Sequence, residues 1–213
     1  PDLATLENAF TSKTRMILVN NPNNPTGAVF SRAILQRIVE LAQRYNVLIV
    51  TDEVYEHLTF DDAQHIPLAT LPGAWERTIT ISSAGKTFST TGWKIGWATA
   101  PAELISAILT VKQYLTFVNG APFQPAIARG LRLPDTFYRD IASTLQHKRD
   151  ILVEGLSDAG LEVYSPSGTY FVLANTTPVG YDDATGLSRE LGEKVGVVGV
   201  PVTAFVSSGH AAH

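Results

Sequence analysis

The chain is predicted to fold as an α/β protein, because strand-like and helix-like segments alternate along its first half. Residues 14–20 and 47–51 are short apolar runs typical of buried strands, and the segment between them has apolar residues at the three- and four-residue spacing of a helix. A right-handed crossover through that helix makes the two strands parallel neighbours in a sheet that helices cover.

The other elements of the first half have their own sequence signals. Residues 2–10 predict a short helix, and Ser31 is a good N-cap for the crossover helix, which we expect to end near Tyr45. The prolines and asparagines of residues 21–27 predict a loop after the first strand. Residues 78–82 and 94–99 predict a third and a fourth strand, and Pro101 opens a helix over residues 102–117.

A change of pattern after residue 118 predicts a second, smaller α+β unit. Asn119, Gly120 and Pro122 end the preceding helix, and helical patterns follow over residues 124–129 and 134–156, ending at Gly160. Residues 168–173 predict a strand and residues 187–194 a short helix. We therefore expect two domains, of residues 1–118 and 119–213.

The composition speaks against several classes of function. The formal net charge is −4 and the lysines and arginines are dispersed, which argues against a nucleic-acid partner. The absence of cysteine excludes disulfides and a cysteine nucleophile, and it fits the cytoplasmic location that we expect. No apolar run reaches the roughly 20 residues of a membrane helix, so no membrane association is expected. His210 and His213 are interpreted as surface residues, and no metal site is expected.

Polar side chains that could bind a ligand or take part in a reaction follow three of the predicted strands. Asn24 comes after the first strand, Asp52 and Tyr55 after the second, and Ser83 and Lys86 after the third. In an open α/β sheet, ligands bind outside the carboxyl ends of the strands. If the strands are neighbours, these loops meet in one crevice.

The residue types in this crevice suit an aldehyde cofactor that carries a phosphate. A lysine amine such as Lys86 attacks an aldehyde to form an imine, a carboxylate such as Asp52 keeps a heteroaromatic nitrogen protonated, and a phenol such as Tyr55 donates to an oxyanion. Glycines and hydroxyls around Lys86, with Lys94 as a second cation, suit an anion, although their order does not match a nucleotide-binding Walker loop. Each residue also has a purely structural interpretation. Lys86 could be a solvated lysine, Asp52 a capping residue and Tyr55 a packing residue.

Four motifs in order resemble those of the class I/II aminotransferases, pyridoxal-phosphate enzymes with the aspartate aminotransferase fold. They are NNPTG at residues 23–27, TDEVY at 51–55, SSAGK at 82–86 and GWKIGW at 92–97. Residues 168–171 match a strand of the family's small domain. The resemblance implies part of a mixed, mostly parallel seven-stranded sheet with helices on both faces, plus a smaller α+β domain that is incomplete at its C-terminus.

The resemblance also implies roles for the motif residues. Lys86 would form the Schiff base with pyridoxal 5'-phosphate and then move the proton between the substrate's α-carbon and the cofactor. Asp52 would pair with the pyridine nitrogen, and Tyr55 and Asn24 would hydrogen-bond the phenolic oxygen of the ring.

Four further residues would complete the pocket by the same resemblance. Ser83 and Lys94 would hold the phosphate; many relatives have arginine in place of Lys94, so a bidentate contact becomes a point charge, although the kynurenine and glutamine transaminase branch also has lysine. Phe123 and Gln124 would line the substrate side of the crevice, although a core position suits Phe123 equally well.

Within the family, four segments look most like the bacterial N-succinyldiaminopimelate aminotransferases: residues 56–58, 112–115, 120–125 and 180–183. This implies transamination between N-succinyl-L,L-diaminopimelate and 2-oxoglutarate, in lysine biosynthesis, by a homodimer. A kynurenine, glutamine or methionine aminotransferase and a pyridoxal-phosphate-dependent carbon–sulfur β-lyase remain open as alternatives.

An inactive fragment is a further alternative, because members of the family are much longer than this chain. The missing half would supply a glycine-containing phosphate loop, an aromatic residue that stacks on the cofactor and much of the dimer interface. The arginine that binds the substrate's carboxylate would lie just beyond His213. We therefore expect the isolated chain to have little or no activity.

Overall fold

A four-stranded sheet forms the centre of the first half of the protein in the computed structural model, which describes residues 1–206. Strands β1 (Met16–Asn20), β2 (Leu48–Asp52) and β3 (Thr78–Ser83) lie side by side in that order and run parallel. Strand β4 (Gly96–Thr99) pairs with β3 in the antiparallel direction. The mixed, mostly parallel α/β sheet is confirmed; the described part of the chain contributes four strands to it, and the count of seven for the whole sheet stays a prediction.

One helix precedes the first strand, and a second helix connects the first two strands. Helix α1 (Leu3–Asn8) is capped by Asp2, whose carboxylate accepts from the amide of Thr5. Helix α2 (Arg32–Tyr45) is the predicted crossover, and the hydroxyl of Ser31 caps it by accepting from the amide of Ile34 at 3.4 Å. Such a cap contributes about 0.5–2 kcal/mol to stability.

The main core lies between α2 and one face of the sheet. Apolar residues of α2 at helical spacing pack against alternate residues of the strands, as the two periodicities require. The side chains of this core that are buried from α2, β1 and β2 are those of Leu35, Ile38, Val39, Leu41, Ala42, Val19 and Ile49. Burying one such side chain contributes roughly 1.5–3 kcal/mol, so this packing holds β1 and β2 in place and thereby fixes the edge at which they end.

Four more helices follow β3 or β4 in the chain, and a fifth lies near its end. They are α3 (Ala84–Thr87), α4 (Ala102–Leu115), α5 (Gln124–Gly130), α6 (Asp135–Asp158) and α7 (Ala184–Val195). Two short strands, β5 (Glu162–Tyr164) and β6 (Leu173–Asn175), pair in the antiparallel direction. Within residues 1–206, no helix is both long enough and apolar enough to cross a membrane.

The chain divides into two compact units, which are not simple halves. The first contains residues 1–147 and 166–171, and the second contains residues 148–165 and those from 172 onward. The domain boundary expected after residue 118 stays a prediction. His210 and His213 lie outside the described residues.

The strand predicted over residues 168–173 is wrong in most of its length. Strand β6 begins only at Leu173, and Gly168 makes a single isolated bridge to Thr59. The backbone of Thr169 has a left-handed conformation with φ of 69°, which interrupts an extended strand at that point. Residues 166–171 therefore form a separate loop that belongs to the first unit.

Candidate active site

Asn24 lies in a tightly hydrogen-bonded loop at the end of β1. Its amide donates to Oδ1 of Asn20 at 2.7 Å, and Oδ1 of Asn23 accepts from the hydroxyl of Thr26 at 2.6 Å. Gly27 has φ of 68°, and a Cβ at this position would lie 2.2 Å from Cβ of Pro166. Only glycine fits there, so the NNPTG motif determines the shape of the loop that carries Asn24.

Tyr55 follows β2 and is the most buried residue of the site, with 2% of its surface exposed. Its hydroxyl accepts from Nδ2 of Asn24 at 3.4 Å. Burial raises the pKa of Tyr55 well above its usual range, and a hydrogen bond with Tyr170 and the charge of Asp52 act in the same direction. The phenol therefore stays protonated and can donate a hydrogen bond at any physiological pH.

Asp52 is the last residue of β2 and lies beside Asn20 of β1 in the parallel ladder. Its carboxylate accepts from the amide of Val54 at 3.2 Å, and its carbonyl accepts from the amide of Asn21 at 3.1 Å. Asn20, Asp52 and the end of β3 lie at one edge of the sheet because β1, β2 and β3 are parallel neighbours. The loops that follow the three strands thus meet, as the sequence predicts.

Lys86 lies in the short helix α3 directly after β3, and its amine contacts two tyrosines. Nζ donates to the hydroxyl of Tyr170 at 2.6 Å. The same atom is 5.3 Å from the ring centroid of Tyr170 and 5.8 Å from that of Tyr55, both within the range of cation–π attraction. The two rings meet edge to face at 5.4 Å. The amine of Lys86 is therefore placed between two phenols.

Tyr170 is the site residue that sequence reasoning missed. The sequence pattern predicts a strand of the small domain at this position, but Tyr170 lies in the loop of residues 166–171, which belongs to the first unit. Its contact with Lys86 joins residues 84 positions apart. The only available signal was a phenol within residues 168–171, next to a glycine and a threonine that suit a turn.

Ser83, Lys86 and Lys94 line one cavity of about 440 Å³, together with Thr91 and Asn119. The hydroxyl of Ser83 accepts from the amide of Gly85 at 3.0 Å. Lys94 has a left-handed backbone with φ of 55°, and its carbonyl accepts from Nδ2 of Asn119 at 3.1 Å. Two lysines and two hydroxyls around one cavity suit an anion.

Gln124 contacts Asn119, which lines this cavity, whereas Phe123 contacts Trp93. The ring of Phe123 stacks on Trp93 with centroids 4.6 Å apart, and it is 38% exposed, so it is not a core residue. The side chain of Gln124 donates to the carbonyl of Asn119 at 3.2 Å. Their expected contact with substrate stays a prediction.

A buried hydrogen-bond cluster connects the loops that carry Asn24 and Asp52. The carboxylate of Glu53, with 1% exposed surface, accepts from the hydroxyl of Thr51, from the amide of Leu68 and, at 2.8 Å, from Nε2 of His65. Nδ1 of His65 lies 3.5 Å from Nδ2 of Asn21, so the tautomer that satisfies both contacts has its proton on Nε2.

The same cluster has the composition of a metal site, since Glu53, Glu56 and His65 place ligand atoms within 4.8 Å of one another. Glu53 already accepts three hydrogen bonds, and Glu56 accepts from the hydroxyl of Ser82 at 2.7 Å. Hydrogen bonding therefore accounts for this arrangement. It links Asn21, which follows β1, to Glu53, which follows β2, through His65.

Comparison with known proteins identifies the family. Residues 1–211 match the family model described as aminotransferase class I and II. A Mycobacterium tuberculosis protein named "Probable N-succinyldiaminopimelate aminotransferase DapC" is 50% identical over 204 residues, which cover 96% of this chain and 51% of that protein. The kynurenine–oxoglutarate transaminase of Dictyostelium discoideum is 42% identical over 222 residues, with 95% and 51% covered.

Solved structures give the same result. The N-succinyldiaminopimelate aminotransferase of Mycobacterium tuberculosis superposes with a TM-score of 0.96 at 49% identity, covering 98% of this chain and 54% of that one. YbdL of Escherichia coli, described as having a methionine aminotransferase function, superposes with a TM-score of 0.91 at 33% identity, covering 97% and 55%. The chain spans about half the length of the curated relatives it matches. It belongs to the class I and II aminotransferases, a family of enzymes that use pyridoxal phosphate.

Proposed function

We propose that this chain carries the cofactor-binding centre of an aminotransferase, which passes an amino group from an amino acid to pyridoxal phosphate and then to a 2-oxo acid. The observation that carries the proposal is the position of Lys86. Its amine lies against Tyr55 and Tyr170 and also faces the cavity shared with Ser83 and Lys94. A nucleophilic amine between a phenol and an anion-attracting cavity suits a phosphorylated pyridine aldehyde.

The other residues present fit the same cofactor. The hydroxyl of Tyr55 and the amide of Asn24 lie 3.4 Å apart, so one oxygen of a bound ring can accept from both. The carboxylate of Asp52 ends the neighbouring strand at the same edge of the sheet. The cavity of about 440 Å³ offers the hydroxyl of Ser83 and the ammonium of Lys94 to a phosphate.

Pyridoxal phosphate, when bound, supplies an electron sink for the bonds to the substrate's α-carbon. Asp52 would strengthen that property, because its negative charge favours a protonated ring nitrogen. Tyr55 and Asn24 would orient the ring by donating hydrogen bonds to its oxygen. Ser83 and Lys94 would hold the phosphate, the latter as a point charge rather than as a bidentate partner.

Lys86 would have two tasks. Its amine would attach the cofactor, and when free it would take up the proton of the substrate's α-carbon and hold it for transfer. Proton transfer of this kind requires the base to lie within about 2.6–3.2 Å of its partner. A lysine on the short helix after β3 stands at the edge where β1 and β2 also end.

As substrates we propose N-succinyl-L,L-diaminopimelate and 2-oxoglutarate. The 50% identity to the mycobacterial protein named for that activity supports this choice. The 42% identity to the kynurenine–oxoglutarate transaminase of Dictyostelium discoideum supports kynurenine as the second candidate donor. The β-lyase and inactive-fragment alternatives stay hypotheses.

Covalent attachment of the cofactor tests the proposal directly. The chain is incubated with pyridoxal phosphate and sodium borohydride, and labelled lysines are located by peptide mass spectrometry. We expect Lys86 to be labelled at least ten times faster than the exposed Lys13, and Lys86→Ala to lose that label while Lys13→Ala keeps it. Equal labelling of Lys86 and Lys13 would refute the proposed role.

A further inference from the structure

We propose that Tyr170 is a further catalytic residue, whose hydroxyl holds the amine of Lys86 whenever that amine is not bonded to the cofactor. The inference rests on the proposed function of Lys86. Nζ of Lys86 is the reacting atom, and the hydroxyl of Tyr170 lies 2.6 Å from it. At this distance the two groups form a strong, charge-assisted hydrogen bond.

A free lysine amine needs such a partner. The side chain has four rotatable carbon–carbon bonds, so an unrestrained amine spends most of its time out of position. Proton transfer and attack on an aldehyde both require the nitrogen at a defined place. A hydrogen bond to a fixed hydroxyl supplies that place.

Backbone hydrogen bonds fix the part of the loop that directly precedes Tyr170. The amide of Ser167 donates to the carbonyl of Gly27 at 3.0 Å, and the carbonyl of Ser167 accepts from the amide of Phe60 at 2.9 Å. The amide of Thr169 donates to the carbonyl of Leu58 at 2.8 Å. Three backbone hydrogen bonds therefore attach the loop to the NNPTG loop and to the segment that follows β2.

The turn before Tyr170 is sterically demanding. A Cβ on Gly168 would lie 2.8 Å from the carbonyl oxygen of Leu58, so glycine permits the close approach of the two backbones. Thr169 is fully buried and has φ of 69°, a conformation that is strained for a β-branched residue. This strain persists only because the surrounding hydrogen bonds determine the turn, and the turn directs Tyr170 toward Lys86.

Neighbouring rings set the orientation of the phenol. The ring of Tyr170 meets Tyr55 at 5.4 Å with an interplanar angle of 80° and Phe171 at 4.7 Å with an angle of 46°. Tyr170 is nevertheless 44% exposed, whereas Tyr55 is 2% exposed. The amine is thus held on the open side of the aromatic cluster, where an incoming aldehyde or amino acid can reach it.

The hydroxyl of Tyr170 can serve both protonation states of Lys86. It accepts a hydrogen bond from an ammonium and donates one to a neutral amine. The hydroxyl of Tyr55 is less suited to this task, because it already accepts from Asn24 and would bind the cofactor ring. The two phenols therefore have different roles. Tyr170 holds the amine of Lys86, and Tyr55 would bind the oxygen of the cofactor ring.

The test compares Tyr170→Phe with the matched control Tyr164→Phe, which removes a hydroxyl from an exposed tyrosine of β5. Each protein is mixed with pyridoxal phosphate and quenched with borohydride over a time course. The amine forms a C=N bond with the aldehyde carbon and water leaves; hydride then reduces that bond, so the lysine is labelled permanently. Labelling of Lys86 and of Lys13 is followed in the same samples.

We expect Tyr170→Phe to slow the labelling of Lys86 about five-fold, because the neutral amine that attacks the aldehyde loses one hydrogen bond that positions it. Labelling of Lys13, the melting temperature and the rate in Tyr164→Phe should stay at the values of the unsubstituted chain. A rate at Lys86 in Tyr170→Phe equal to that of the unsubstituted chain would overturn the inference about Tyr170 alone. Absence of preferential labelling in the unsubstituted chain would instead overturn the proposed function of Lys86.

Discussion

At the residue scale, burial sets the protonation state of Tyr55, whereas the amine of Lys86 stays accessible. Tyr55 has lost its contact with water, so burial keeps its phenol neutral. Lys86 retains an exposed neighbour, Tyr170, and a cavity on its other side. The buried phenol of Tyr55 is suited to donating a hydrogen bond, and the accessible amine of Lys86 is suited to attacking a ligand.

His57 gives the clearest pH dependence of stability. Burial against Tyr138, whose ring stacks on it at 4.3 Å, lowers the pKa of His57, although the charge of Glu56 acts in the opposite direction. Below the unfolded pKa of about 6.5 the unfolded chain binds this proton more readily than the folded chain. Stability should therefore fall as the pH drops from 7 to 5.

The comparison variant is His57→Gln, which cannot titrate. Urea unfolding at pH 7 and at pH 5 should show a smaller loss of stability in His57→Gln than in the unsubstituted chain. His147→Gln, at an exposed position on α6, serves as the control and should behave like the unsubstituted chain. An identical pH dependence in all three proteins would contradict the assignment to His57.

At the element scale, the loop after β1 and the loop of residues 166–171 determine each other's shape. The amide of Gly27 donates to the carbonyl of Asn23 at 2.8 Å, and its carbonyl accepts from the amide of Ser167 at 3.0 Å. One glycine therefore supports the loop that carries Asn24 and the loop that carries Tyr170. Neither loop has a regular secondary structure that would hold it otherwise.

Gly27→Ala should destabilise the protein by more than conformational strain alone. Its Cβ would lie 2.2 Å from Cβ of Pro166, whereas Gly196 has a similar φ of 69° and open space around it. Gly196→Ala should lower the free energy of unfolding by about 1 kcal/mol, through backbone strain alone. Gly27→Ala should lower it by at least about 2 kcal/mol, because the steric contact adds to the strain. Equal losses of unfolding free energy in the two variants would show that the contact with Pro166 is unimportant.

An element could be predicted from the sequence when the interactions that form it join residues that are close in the chain. Helix α2 was predicted with its cap at Ser31 because a cap and an apolar stripe are local patterns. Strand β5 was missed because three residues are too few for a periodicity to show. The supposed strand at residues 168–173 failed because its backbone bonds go to residues 58–60, which a local pattern cannot reveal.

At the scale of the whole molecule, large apolar side chains remain exposed on several elements. Leu18 of β1 is 72% exposed, although its neighbour Val19 is buried, so the face of the sheet opposite to α2 is accessible at this point. Tyr114 and Leu115 at the end of α4 are 84% and 76% exposed. The second unit contains a cavity of about 490 Å³ lined mainly by apolar side chains.

We predict that the isolated chain self-associates and binds an apolar dye, because burying exposed apolar surface of this kind lowers the free energy. Sedimentation velocity at increasing concentration should show growing species, and replacing Tyr114 and Leu115 by lysine should reduce them. Replacing the exposed Glu103 of the same helix by lysine is the control for added charge. A single monomeric species without dye binding would contradict the prediction.

The sequence by itself determined the α/β class, the crossover helix and the group of Asn24, Asp52, Tyr55, Ser83, Lys86 and Lys94 as candidates, because periodicity, caps and contiguous motifs are properties of neighbouring residues. Only the tertiary structure decided the contact of Tyr170 with Lys86 and of His65 with Glu53. These contacts join residues 84 and 12 positions apart. Such proximity arises when the sheet and its loops close on one another, and no local pattern encodes it.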